Sequence, residues 1–103
     1  MPKPKVKLGL LLPTRGLLLG ESVPQSADRV LALARLAEDS GLDSVWVGDS
    51  LIAKPRLEPL STLAAVAAVT NRVRLGTAVL LAALRHPVLL AQTLGTVDLI
   101  SQG

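Results

Sequence analysis

The chain has no cysteine, no phenylalanine and no tyrosine, and it carries a single tryptophan, Trp46, and a single histidine, His86. Without cysteine there is no disulfide, no thiolate metal site and no cysteine nucleophile. One histidine rules out multi-histidine metal centres, so no metal is expected. An oxidising compartment is not indicated, and the cytoplasm is the expected location. Seven Arg and four Lys outnumber the acids to give a net charge of +3. They are scattered, and no Phe or Tyr stands among them to stack bases, which argues against a nucleic-acid partner. The longest stretch free of charged residues, residues 59–71, is 13 long, short of the ~18 that suggest a membrane span. The start, MPKPKVKLGLLLPT, is basic and then apolar like a secretory signal. Pro13, Arg15 and the lack of a small-x-small cleavage site favour a buried first strand instead.

Half of the residues are apolar and the mean hydropathy is +0.49, high for a free-standing monomer of 103 residues. Three apolar runs of strand type, Val6 to Leu12, Ser44 to Gly48 and Val73 to Leu80, are each followed by a helical pattern. Nearly unbroken apolar strands suit a parallel sheet. The first helix is expected after Ser26, through Ala27, Val30, Leu31, Ala34 and Ala37, with Gly41 as its left-handed cap. The second opens on Pro59 and ends near Asn71, a residue that tolerates a left-handed conformation. The third opens on Pro87 and runs to about Ser101, with Gly103 as its stop. The expected spans are strands 6–12, 44–48 and 73–80 and helices 27–40, 59–70 and 87–101.

Strand starts at 6, 44 and 73 give repeats of 38 and 29 residues, close to the ~31 per βα unit of a (β/α)8 barrel. The reading is α/β, a (β/α)3 sector of a TIM (β/α)8 barrel, with residues 1–103 an incomplete domain. Strand order 1-2-3 with right-handed crossovers puts every helix on one face of the sheet and leaves the other bare. The alternative is a doubly wound sheet of order 2-1-3. It lacks support from the segment PTRGLLLGES, which contains neither GxGxxG nor GxxxxGK[ST].

In a barrel the strand C-termini and the loops after them form the active face. They hold Pro13, Thr14 and Arg15, then Asp49 and Ser50, then Thr77 to Leu80 with Arg85 and His86. Asp49, directly after the apolar VWVG, is either a solvated carboxylate or a hydrogen-bond acceptor for a ligand, and little contribution to stability is expected of it. Gly9, Gly48 and Gly76 serve barrel curvature or leave room for a flat ligand. His86, before a proline at a helix start, caps backbone amides or transfers protons. No GxSxG elbow accompanies Ser50, so a hydrolase triad is not credible.

The ordered set ADRVLALARLAEDSGLDSVWVGDS, then EP, then RVRLGTAVL, then RHPVLLAQ resembles the N-terminal part of the luciferase-like flavin-dependent monooxygenases. That family includes the coenzyme F-420 (deazaflavin) oxidoreductases. The resemblance runs from position 6 to 103 and implies a (β/α)8 barrel with the cofactor ring at the C-terminal mouth. It implies FMN or coenzyme F-420 as cofactor, an acid after the second strand matched by Asp49, and a non-prolyl cis bond beside the ring matched by Ala78–Val79. The implied cofactor-binding residues are Asp49, Thr77, Ala78 and Val79. In the deazaflavin branch the acid is commonly followed by His, whereas this chain has Ser50.

Two functions are expected. One is a part of a flavin- or deazaflavin-dependent oxidoreductase or monooxygenase acting on a small organic substrate, inactive as an isolated chain. Its phosphate-holding loops, near strands seven and eight of such barrels, would belong to the remainder of the parent barrel. The other is a non-catalytic module that self-associates through its bare sheet face, as a homo-oligomer.

Overall fold

The computed structural model describes residues 5–15, 27–51 and 56–103. Three strands, β1 (Gly9–Leu11), β2 (Ser44–Val47) and β3 (Arg74–Thr77), alternate with helices α1 (Asp28–Asp39), α2 (Pro59–Val69) and α3 (Pro87–Ser101). A 3-10 turn, Ala82–Leu84, precedes α3. The sheet is parallel, in order β1-β2-β3, which excludes the 2-1-3 arrangement.

Register sorts the strand residues onto two faces. Leu10, Val45 and Leu75 are cross-strand neighbours, as are Val47 and Thr77. On this face Val45 and Val47 are fully buried, in one cluster with Val30, Ala34 and Ala37 of α1, Leu63 and Val66 of α2 and Val97 of α3. All three helices therefore cover the same face. The opposite face carries Leu11, Trp46 and Gly76 in a row, with Leu11 55% and Trp46 39% exposed.

The strands are shorter than the apolar runs. β2 is bounded by Asp43 on one side and Gly48 on the other, and it limits how much of its neighbours can pair. Ladder bonds still extend past the assigned ends, from the Asp43 amide to the Leu8 carbonyl and from the Leu12 amide to the Trp46 carbonyl. Beyond β3 only the Ala78 amide continues the ladder, donating to the Val47 carbonyl at 2.8 Å. Val73 is buried but outside the strand.

Helix ends follow the sequence in part. Gly41 adopts φ +83° after α1, and Gln102 and Gly103 share the left-handed region after α3. At the start of α1 the N-cap position is Ala27, which has no side chain to accept an amide; Ser26 lies outside the described residues. Asn71 does not end α2 in a left-handed conformation. The cap is Thr70 in extended geometry, because the Asn71 amide is drawn to the Glu38 carboxylate at 2.9 Å. No described helix is long and apolar enough to cross a membrane.

Candidate functional site

The C-terminal ends of β2 and β3 bring together an ion-paired group from the segments that follow those two strands. Asp49 follows β2, and its side chain has no solvent exposure. Its Oδ2 accepts from Arg85 Nη1 at 2.5 Å and from the Leu81 amide at 2.8 Å, while Oδ1 accepts from Arg85 Nη2 at 3.2 Å. A guanidinium gripping both oxygens is the strong, planar form of this interaction. The Arg85 bonds and the Leu81 amide hold the Asp49 carboxyl below the usual range against the opposing effect of burial. Arg85 is correspondingly pushed up by Asp49. Asp49 is thus a fixed anion and an acceptor, not a proton donor at neutral pH. It is also tied to the segment after β3 by three hydrogen bonds, where little contribution to stability was expected.

Arg85 also reaches Glu58 Oε1 at 3.4 Å. Glu58 is the N-cap of α2, accepting the Leu60 amide at 3.2 Å and the Ser61 amide at 2.6 Å. Burial works to raise the Glu58 pKa and is outweighed by those amides and Arg85, so the net direction is down. Neither partner was legible in advance as such. The EP dipeptide was the one signal: an acid directly before an N1 proline can bend back onto the first free amides.

The bond Ala78–Val79 is cis, at the position the resemblance implied. Ala78 is exposed and Val79 is 75% exposed. Thr77 differs from them. By register it shares the helix-covered face with Val47, and it lines a groove of about 570 Å³ between β3 and α3. The structure therefore brings Asp49 into one connected segment with Ala78, Val79 and Leu81, and turns the Thr77 side chain toward the other face of the sheet.

Gly9, Gly48 and Gly76 all have a reason neither expectation contained. A Cβ on Gly9 or on Gly76 would collide with the Trp46 indole, so the ring lies across the sheet from β1 to β3, with Nε1 donating to Ser44 Oγ at 2.8 Å. Gly48 instead makes room for Arg56. His86 takes the capping role, with Nδ1 accepting from the Val88 amide at 3.2 Å. Ser50 Oγ accepts from Arg56 Nε at 3.1 Å, and Thr14 and Arg15 sit beyond the end of β1. Among the described residues no cluster of His, Asp and Glu has the makings of a metal site.

Parallel βα units with helices on one face and polar side chains gathered at the strand C-termini define a sector of a TIM-barrel-like enzyme fold. The profile of the luciferase-like monooxygenases matches residues 6–103, and the chain belongs to that family of oxidoreductases. It is 42% identical over 74 residues to the F420-dependent glucose-6-phosphate dehydrogenase of Amycolatopsis mediterranei (strain U-32), a match covering 65% of this chain and 22% of that protein. It is 31% identical over 81 residues to the oxygenase component of the flavin-dependent trigonelline monooxygenase of Acinetobacter baylyi (strain ATCC 33305 / BD413 / ADP1), covering 77% of this chain and 22% of the relative. The monooxygenase RslO1 from Streptomyces bottropensis superposes with a TM-score of 0.82 at 35% identity, over 95% of this chain and 31% of that one. The matches thus span about a fifth of the length of the curated relatives.

Proposed function

We propose that the chain supplies the first three βα units of a flavin- or deazaflavin-dependent luciferase-like oxidoreductase, and that residues 1–103 form an incomplete domain without activity of its own. The observation that carries this reading is the link from the Asp49 carboxylate to the Leu81 amide. It ties the end of β2 to the segment containing the cis Ala78–Val79 bond. A flat, largely apolar ring system fits beside that segment, because Ala78 and Val79 present little beyond exposed backbone and methyl groups. Ala78 and Val79 would lie against the ring, with Thr77 holding the strand end behind them. Asp49, whose side chain has no solvent exposure, would hold the Leu81 segment in place against the ring. FMN or coenzyme F-420 would supply the redox chemistry; the chain's own residues bind and orient it and shield one side from water. FMN and the deazaflavin both remain compatible with Ser50 after the acid.

Grafting residues 6–103 in place of the matching segment of a full-length family member tests the reading. The chimera is expected to bind its flavin, and Asp49→Ala in the chimera to weaken that binding about tenfold, the equivalent of one charged hydrogen bond. A chimera that folds and does not bind flavin, or binding unaffected by Asp49→Ala, would contradict it. The same reading puts the protein in the cytoplasm, acting on a small-molecule substrate.

A second reading, self-association, is favoured by the exposure of Val6 (85%), Leu8 (62%) and Leu11 (55%) on and before β1. An edge strand open to pairing and flanked by exposed apolar side chains marks an interaction site. Its partner is the remainder of a barrel or a second copy of the chain, and sedimentation at micromolar concentration discriminates: a stable monomer would remove the second copy.

A further inference from the structure

Among the described residues two buried side-chain polar atoms lack a hydrogen-bond partner, Thr14 Oγ1 and Arg15 Nε, and they are adjacent in the chain. Thr14 is fully buried. A buried donor left unmet costs free energy, and such a pair in one place calls for a missing partner. The place is the C-terminal end of the sheet, just past β1, where parallel sheets receive their ligands. The Thr14 carbonyl accepts the Leu57 amide at 3.3 Å, so the chain neighbours Arg15 and Arg56 flank one backbone bond. The Arg56 guanidinium lies on the backbone of Gly48, since a Cβ there would stand 2.6 Å from Nη1 and 2.7 Å from Cζ. Ser50 Oγ holds its Nε. Both ion pairs among the described residues involve Arg85, so among those residues neither Arg15 nor Arg56 has a carboxylate partner.

We propose that Thr14, Arg15 and Arg56 form a binding site for a phosphate monoester. Two guanidinium groups with no carboxylate partner among the described residues match a dianion, and their planar forks suit its oxygens. The Thr14 hydroxyl supplies a third donor. The site adjoins Asp49 through Gly48 and Ser50, but it uses neither the Asp49 carboxylate nor Ala78 and Val79 and does not rest on the flavin reading, so either can fail without the other.

Titration of the purified chain with methyl phosphate at pH 8, followed by amide shifts, tests the site. Saturable binding with shifts centred on residues 14, 15, 50, 56 and 57 is expected. Arg15→Gln and Arg56→Gln should each weaken it about tenfold, with Arg35→Gln on α1 unchanged. Gly48→Ala removes no charge and displaces only the far end of the Arg56 side chain, so it should fold normally and still weaken binding. Acetate should bind more weakly than methyl phosphate. FMN, with riboflavin as the phosphate-free control, separates the sources: tighter occupancy by FMN assigns the cofactor's phosphate, equal occupancy a phosphate on the substrate. Absence of saturable binding, or equal affinity in the Arg15→Gln, Arg56→Gln and native chains, would overturn the proposal and leave water as the partner of Thr14 and Arg15.

Discussion

The two ends of the sheet treat their carboxylates differently. At the N-terminal end Glu38, in the last turn of α1, accepts the amides of Asn71 at 2.9 Å, Arg72 at 2.6 Å and Val73 at 3.0 Å. Arg72 returns the favour through its guanidinium, donating to the Glu38 and Leu42 carbonyls at 3.0 and 2.8 Å. The clamp is complete in itself, and it fixes where the chain enters β3. At the C-terminal end Asp49 and Glu58 share Arg85, yet Thr14 and Arg15 in the same region keep unmet polar atoms. One end closes the fold; the other is built and left open. That division is the one a barrel enzyme makes between its stabilising and its reactive face.

The largest effect expected from breaking this contrast is at Asp49. Asp49→Ala leaves Arg85 in a largely buried position with only a distant Glu58, and removal of one partner from such a pair should cost about 3 kcal/mol in chemical denaturation. Arg85→Ala should cost a similar amount, and Asp49→Ala with Arg85→Ala together much less than the sum of the two. Next comes Gly76→Ala, whose methyl would displace the Trp46 indole. A loss of about 1 to 3 kcal/mol is expected, with a red shift in the emission of the lone tryptophan, and Trp46→Ala in the same chain should restore tolerance.

Glu38→Gln is expected to cost less, about 1 kcal/mol, because its site is partly open to water. It should also change the acid limb. The Arg72 and Val73 amides, with Asn71, lower the Glu38 pKa from its ordinary 4.5. A lowered folded-state pKa contributes stability in full above the unfolded value, and that stability disappears as pH falls through the folded value. Asp49, lowered from 3.8, behaves likewise at still lower pH. Melting temperature should therefore fall progressively below about pH 4.5, and Glu38→Gln should flatten the upper part of that fall. The smallest effect is at Gly95, where an added Cβ meets nothing within 4 Å. Gly95→Ala should stabilise α3 by up to about 1 kcal/mol.

Much of this architecture was legible in the sequence. Apolar runs and proline-opened helices gave the strand order and α3 to the residue, since Pro87 and the Gln102–Gly103 end are local signals. Asp49 stood out because a charge directly after VWVG has no place in a core. Its partner did not, because Arg85 is 36 residues away and the pair exists only once β2 and β3 lie side by side. Glu38 was hidden for the same reason: its three amides belong to a turn more than 30 residues on. The glycines suggested space for a ligand, but the occupant, Trp46, is fixed by cross-strand register, which a single strand pattern does not reveal.

The most direct measurement is amide-shift mapping of the chain titrated with FMN. The polarity described here predicts weak binding, weaker than micromolar, with perturbations gathered at the C-terminal end around Asp49, Ala78 and Val79. Residues 38 and 71–73 should stay unmoved. Perturbations centred on the Glu38 clamp, with Asp49, Ala78 and Val79 silent, would contradict it.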